Sequence, residues 1–348
     1  MIHPAHPKVH RKIGFLQRFT RALSLSGRER ILRVRGRGGP AIPHTWSTMA
    51  RSEEAAEIAG VRVTHPDRVL YPGQGITKRE LAEYHVAVAE LELPHLKGRP
   101  LTLVRCPAGQ ETECFYQRRA GKGTPRALGR VKVPVEGEEE TYLVADSLAA
   151  VVSLVQMGVL ELHVWGARRD RLDRPDRMIL DLDPAPEVAW AEVVDAARRA
   201  REVLGRAGLE SFVKTSGGKG LHVVAPIARR QGWDELRELS RRVAETMVRE
   251  APGRFLTSAS KEERAGKIYV DYLRNGWSAS AVAAYSTRSR PGAPVSFPLD
   301  WDELGPDTTP GEFTVRTVPE LVKRRRDPWA RMPEVRQGIT KETWGRLE

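Results

Sequence analysis

Met178-Ile179-Leu180 leads into Asp181-Leu182-Asp183-Pro184, an apolar run that closes on two carboxylates. Side chains alternate along a strand, so Asp181 and Asp183 share one face, with Cα atoms roughly 6.6 Å apart. Such a pair suits hard divalent cations, which take oxygen ligands and complete their shell with water and phosphate. Asp271, at the end of the apolar run Ile268-Tyr269-Val270, offers a third carboxylate. About thirty residues after the first pair comes Lys214-Thr215-Ser216-Gly217-Gly218-Lys219-Gly220-Leu221-His222. This stretch lacks the spacing of a P-loop, and a strand follows it instead of a helix. Its glycines can still expose backbone N–H groups to an anion, with Lys219 as a point charge and His222 as a hydrogen-bond partner. Each feature has a plainer explanation. Asp183-Pro184 can begin a loop and cap a helix, and the glycines can serve a tight hairpin alone. Taken together they point to metal-dependent chemistry on a nucleoside triphosphate.

The elements that must position these residues follow from patterning. Thr77 and Glu80 form a capping box, and Leu81, Tyr84, Val88 and Leu91 keep helical spacing until Pro94, which is expected to end the helix. Strands are expected at Leu101–Arg105, Phe115–Gln117 and Glu161–Trp165, and a hairpin at Val131–Val135 and Thr141–Ala145 around Glu136–Glu140. Ser147–Gln156 reads as a short helix. The second half reads as strand (Arg177–Leu182), helix (about Trp190–Gly205), strands (Ser211–Lys214, Leu221–Pro226), helix (about Asp234–Glu250) and strands (Lys267–Leu273, Ala281–Tyr285). Strands and helices mix without strict alternation, which predicts a mixed α/β chain of two modules, 61–165 and 177–330, with a cleft between them.

Composition bounds the partners. The net charge of +12 suggests nucleic acid, but residues 1–50 hold ten Lys or Arg against Glu29 alone, nine of the twelve charges. Residues 51–348 therefore carry only +3, and any basic surface there is local. Residues 1–50 are rich in Arg, Gly, Pro and Ser and are expected to be disordered, with translated upstream sequence before Met49 the preferred explanation. No apolar run reaches membrane-spanning length, and neither a signal peptide nor a membrane partner is expected. Cys106 and Cys114 fit no zinc spacing and are expected as reduced thiols in a cytoplasmic protein.

The same residues, in order, resemble the polymerase domain of bacterial ligase D, a member of the archaeo-eukaryotic primase superfamily that serves non-homologous end joining. The resemblance runs from about Val61 to Trp329. It rests on Asp67-Arg68-Val69-Leu70-Tyr71-Pro72, Gly98-Arg99-Pro100, Phe115-Tyr116-Gln117, Ile179–Pro184, Thr215–Val223, Val270–Asn275 and Ala284-Tyr285-Ser286-Thr287-Arg288. It implies a two-module primase-polymerase fold with an RRM-like catalytic sheet. It also implies that Asp181, Asp183 and Asp271 bind two divalent cations, Mn²⁺ or Mg²⁺, and are catalytic. Ser216 would sit near the sugar hydroxyls of an incoming NTP or dNTP, with Lys219, His222, Arg288, Arg274 and His163 as further nucleotide contacts. Arg68 and Lys78 would hold the 5′-phosphate of a gapped or recessed DNA end. Phe115 and Tyr116 would stack on template bases, although strand alternation is expected to bury one of them.

The sequence departs from the family pattern where Arg68 replaces the usual lysine and His65 a common asparagine. The length leaves no room for a ligase or nuclease segment, so a stand-alone subunit is expected. It would act on DNA in the nucleoid, with Ku and a separate ligase as partners. A primase starting chains de novo and a non-catalytic end-bridging protein are the alternatives.

Overall fold

The computed structural model describes residues 55–260 and 262–347. The basic stretch 1–50 lies outside them. The chain opens with β1 (Ala55–Ile58) and β2 (Val61–Thr64), then β3 (Val69–Tyr71) and β4 (Ile76–Thr77). Thr77 caps α1 (Lys78–Ala87): its hydroxyl accepts from Glu80 N at 3.2 Å, and Glu80 Oε2 accepts from Thr77 N at 2.8 Å. The helix does not run on to Pro94. Val88, at φ −106° and ψ 7°, breaks the path, and a second helix, α2 (Ala89–Leu96), contains Pro94. There the proline falls in the final turns, where its missing N–H forfeits one intrahelical bond.

A four-stranded antiparallel sheet follows from β5 (Leu101–Arg105) and β6 (Phe115–Gln117), completed later by β9 (Val159–Val164) and β15 (Ala281–Val282) in the order β15-β9-β5-β6. The turn between β5 and β6 corrects the expectation of two reduced thiols. Arg105 pairs with Phe115, so the connecting residues fold back and bring the Cα atoms of Cys106 and Cys114 to 4.4 Å, joined by a disulfide. Next come the hairpin β7 (Gly129–Val135) and β8 (Glu138–Val144), the helix α3 (Leu148–Gln156) and β9 (Val159–Val164). The hairpin turn is shorter than expected. Glu136 and Gly137 both take positive φ, as a two-residue turn requires, so β8 starts at Glu138.

The second half builds the sheet that carries the carboxylates. Its elements are β10 (Arg177–Pro184), α4 (Trp190–Arg206), β11 (Phe212–Thr215), β12 (Leu221–Pro226), α5 (Trp233–Glu250), β13 (Phe255–Leu256) and β14 (Ile268–Asp271). The sheet order is β13-β14-β10-β12-β11-β16. Its central four strands with α4 and α5 form a βαββαβ unit of order fourth-first-third-second, the RRM-like arrangement. On α4, Val193, Ala197, Ala200 and Leu204 are buried, and on α5, Leu236, Leu239, Val243 and Met247, two stripes at helical spacing. Both helices pack against the sheet, and Met178, Leu180 and Leu182 of β10 are fully buried in that core. By parity, Arg177, Ile179, Asp181 and Asp183 face the other way.

The chain closes with β15 (Ala281–Val282), β16 (Pro298–Leu299), α6 (Val318–Arg324) and α7 (Lys341–Gly345). The strand expected to reach Tyr285 stops at Val282 because the backbone turns there, with Tyr285 at φ 65°. The tail straps β11: Trp329 donates to Val213 O at 3.0 Å and Trp301 to Ser211 O, just before the strand, at 2.8 Å. One apolar cluster runs from Ile58 to Leu347. Among the described residues no helix is long and apolar enough to cross a membrane.

Candidate active site

Strand register, more than strand identity, assembles the site. Lys214 pairs with His222, His222 with Asp181, and Asp181 with Asp271, which makes one row across four neighbouring strands. Directly paired residues point to the same face, so these four side chains lie together on the face away from α4 and α5. Asp183 follows two residues beyond Asp181 on that face. His222 Nε2 lies 3.4 Å from Asp181 Oδ1. Arg274 bridges the two inner acids, Nη2 at 3.2 Å from Asp181 Oδ2 and Nε at 3.1 Å from Asp271 Oδ2. Arg264 Nη1 donates to Asp183 Oδ2 at 3.1 Å. Arg274 stands in a short turn whose next residue, Asn275, is clamped to β10: its amide accepts from Ile179 N at 2.8 Å and donates to Ile179 O at 2.7 Å.

The charges in this row are unevenly compensated. Burial would raise Asp181, but His222, Arg274 and Lys214 outweigh it and hold the carboxyl well below its usual range. Asp271 is raised by burial and by the charge on Asp181, against the pull of Arg274. Asp183 is raised by burial and by Asp181 in spite of Arg264, Arg274 and Arg290. Burial and Lys214 bring His222 down to about 4, so the ring is neutral, and its buried Nδ1 has no partner among the described residues. Lys214 is itself driven down by burial although Asp181 opposes it. Crowded carboxylates of this kind, all hard oxygen donors, suit a divalent cation. Arg274 supplies the counter-charge instead, and among the described residues no three His, Cys, Asp or Glu side chains already close on a single metal position.

Opposite the acids, the Ser216–Gly220 turn is held by Ser216 N donating to Gly220 O at 3.0 Å and Gly220 N to Ser216 Oγ at 3.3 Å. Its glycines are needed sterically. Gly217 sits at φ +68° with Arg288 Cγ only 2.6 Å from where a Cβ would stand, and a Cβ on Gly220 would run into the Leu182 carbonyl oxygen. Arg288 Nη1 donates to Ser216 O, and Arg288 Nε to Glu161 Oε2 at 2.9 Å. Glu161 also lies 2.8 Å from His163 Nε2 and accepts from Ser289 N at 2.9 Å and Ser289 Oγ at 2.6 Å. Burial would raise Glu161, but His163, Arg288 and Ser289 pull it far below the carboxylate range. Burial lowers His163 despite Glu161.

One cavity of about 470 Å³ unites the two sides. Its walls include all nine residues expected at the metal and nucleotide: Asp181, Asp183, Asp271, Ser216, Lys219, His222, Arg288, Arg274 and His163. Tyr116 stands on its wall as well. A larger recess of about 980 Å³ beside α4 contains none of them. Arg68 and Lys78 are brought together elsewhere, where Lys78 N donates to Arg68 O at 2.8 Å. Arg68 is exposed; Lys78 is buried, and its Nζ donates to Thr64 O at 2.8 Å. Burial and Arg68 lower the Lys78 amine. Phe115 and Tyr116 correct the expectation that alternation hides one ring. They are 44% and 71% exposed: β6 is the edge of its sheet, and Phe115 is met by the Arg105 guanidinium and Tyr116 by the His163 ring without either being buried.

Three residues escaped the reading by pattern. Glu161 had a usable signal, a lone acid two positions before His163 in an apolar strand. Lys214 shares the strand pair of His222, and Arg290 lies two residues beyond Arg288 on the cavity wall.

The family model for the LigD primase-polymerase domain matches residues 77–329. The multifunctional non-homologous end joining protein LigD of Pseudomonas aeruginosa is 38% identical over 305 residues, 87% of this chain and 36% of that protein. The bifunctional non-homologous end joining protein LigD of Bacillus subtilis is 28% identical over 271 residues, 77% of this chain and 43% of that protein. Among solved structures, the polymerase domain of Mycobacterium tuberculosis ligase D in complex with DNA is similar with a TM-score of 0.74 and 31% identity. That likeness covers 79% of this chain and 98% of the other. The chain spans between about a third and two fifths of the length of the curated relatives it matches.

Proposed function

The chain belongs to the LigD primase-polymerase domain family, and on that premise we propose that it is a template-dependent nucleotidyltransferase that fills in or extends DNA ends during non-homologous end joining. The observation that carries this reading is the single cavity in which three carboxylates on β10 and β14 face the Ser216–Gly220 turn and Arg288. In this reading Asp181, Asp183 and Asp271 hold two divalent cations, Mn²⁺ or Mg²⁺. Such ions, when bound, acidify an attacking 3′-hydroxyl and neutralise charge on a triphosphate.

The chain's own side chains do the rest. Arg288, Lys219 and Arg290 bring positive charge to the triphosphate, and Arg274 adds a guanidinium beside the acids. Ser216 and His163 line the sugar, and the unpartnered Nδ1 of neutral His222 is available to a nucleotide oxygen. Arg68 and Lys78 take the 5′-phosphate of the DNA end, Lys78 from the first turn of α1 where N–H groups also favour an anion. Phe115 and Tyr116, both exposed, form a stacking platform worth on the order of 1–3 kcal/mol per base. The named relative solved with DNA and the end-joining names of the curated relatives support this setting. Ku and a ligase are the partners it requires, and the nucleoid is its place of action.

Single-nucleotide addition on a gapped, 5′-phosphorylated duplex tests the reading, with NTP against dNTP and Mn²⁺ against Mg²⁺. Addition that Asp181→Ala abolishes is the expected result. Full addition by Asp181→Ala refutes the site. Primer-free synthesis on single strands would favour a primase, and end-bridging without any addition a non-catalytic role.

A further inference from the structure

Arg177 begins the strand that Asp181 and Asp183 end, on the same face and roughly 13 Å from Asp181 at about 3.3 Å per residue. It opens into a second cavity, of about 500 Å³, which shares no lining residue with the first. Five guanidiniums line it, Arg99, Arg168, Arg177, Arg229 and Arg336, with Asp176 as its one carboxylate. Asp176 is already occupied. Arg99 grips both its oxygens at 2.7 Å, and Arg168 Nε donates to one of them at 3.1 Å. Arg229 is paired outside the cavity with Asp170, at 2.7 and 3.0 Å.

Two cations remain without a carboxylate in hydrogen-bond range. Arg177 is 7% exposed, and its Nε has no hydrogen-bond partner among the described residues and makes only a loose ion pair, 3.7 Å from Asp176 Oδ1. The exposed Arg336 donates only to the carbonyls of Pro333 and Val335. Counting Asp170 and Asp176 against the five arginines leaves an excess of three positive charges. A buried cation without a close partner is costly, and the guanidinium of Arg177 is pushed down to about 9 by burial and by Arg99, with the distant Asp176 opposing. His95, also on the wall, is kept neutral by burial and by Arg177 and Arg99. Apolar side chains also line the cavity, Ile227 near Arg229 and Met332 and Val335 near Arg336.

We propose that this cavity is a second, non-catalytic binding site for a small phosphate-bearing anion, its phosphate held by Arg177 and Arg336 with Arg168 beside them. Guanidinium forks match phosphate oxygens in pairs, and a charge excess of three calls for a multiply charged ligand more than for a single carboxylate. The recessed position of Arg177 favours a free small molecule over a nucleic-acid backbone. The apolar side chains leave room for a nucleoside next to the phosphate.

Calorimetric titration of the full chain without divalent cation tests the site, with inorganic phosphate, pyrophosphate, adenosine monophosphate and citrate as probes. Wild type and Arg290→Ala, which alters the other cavity, are expected to bind one phosphorylated probe with equal affinity. Arg336→Ala is expected to weaken that binding at least tenfold, and Arg177→Met to abolish it. Adenosine monophosphate binding tighter than phosphate identifies a nucleotide as the ligand, and the reverse a free phosphate or pyrophosphate. The proposal is overturned by no binding at millimolar probe, by an affinity that follows Arg290→Ala and ignores Arg336→Ala, or by citrate outcompeting every phosphate. Should Arg177→Met fail to fold, Arg336→Ala, at an exposed side chain, still decides.

Discussion

Glu161→Gln isolates the carboxylate that ties Arg288 to His163, the two residues that the proposed function sets at the nucleotide. In wild type its Oε2 accepts from Arg288 Nε at 2.9 Å, and the two side chains are only 6% and 14% exposed. Removing one partner of a buried pair costs about 3–5 kcal/mol because the other charge is stranded. Glutamine keeps the volume, one acceptor and the bonds from Ser289, so the expected loss is nearer the ~1.5–3 kcal/mol of a hydrogen bond to a charged group. Part of that appears as lower stability. The part that lets Arg288 and His163 drift appears in nucleotide use: every ~1.4 kcal/mol is tenfold, so kcat/KM for the incoming nucleotide should fall on the order of tenfold, and by no more than about a hundredfold. Steady-state addition to a gapped duplex, with nucleotide and DNA varied separately, gives the split. KM for nucleotide should rise while DNA affinity stays within about twofold, and Glu161→Asp, which keeps the charge, should recover part of the loss. A folded Glu161→Gln protein with wild-type kcat/KM would show that Arg288 and His163 do not depend on Glu161 for their position. Equal losses for nucleotide and DNA would show a general structural defect instead.

Asp271→Asn removes a carboxylate whose charge is disfavoured by burial and by Asp181 more than Arg274 favours it, so unfolding by denaturant should show unchanged or higher stability while kcat falls on the order of a hundredfold or more; lower stability with activity kept would contradict the assignment. Gly217→Ala forces a Cβ against Arg288 Cγ at positive φ. Melting should drop by about 1–3 kcal/mol of strain, and nucleotide KM should rise; an unchanged KM would mean that the turn does not hold Arg288. Stability should also depend on pH. His95, His163 and His222 all have folded pKa values below the usual histidine value, His222 at about 4. The unfolded chain takes up their protons below about 6.5 and the native chain does not. Their contribution is therefore complete above that pH and is lost as pH falls from about 6.5 towards 4, at up to about 1.4 kcal/mol per unit for each ring. The raised carboxyls of Asp183 and Asp271 work in the opposite sense near the lower end. Denaturant unfolding at pH 7.5 and 5.5 measures the slope, and His95→Asn should lessen it; a flat profile would mean these rings are protonated in the fold.

Much of this protein is written in short-range patterns. The alternation that places Asp181 and Asp183 on one face, the Thr77–Glu80 capping box and the glycine turn depend on neighbours only a few residues apart, and backbone periodicity dictates them directly. The βαββαβ order of the sheet that carries the carboxylates could be anticipated in the same way. What joins distant segments was not legible. Glu161 reaches Arg288 across 127 residues, and Arg274 reaches Asp181 across 93. Whether such groups meet depends on register, and a slip of one residue would turn Lys214, His222 and Asp271 away from Asp181. Position within a sheet decided the rest. Alternation implied that one of Phe115 and Tyr116 is buried, but on an edge strand both stay largely in solvent. The Cys106–Cys114 bond and the five arginines around Asp176 likewise exist only because folding brings chain ends and strand ends into one place. Residue types and their spacing mark the side chains able to do chemistry; which of them share a cavity follows from the fold, because burial and electrostatic pairing act through space and not along the chain.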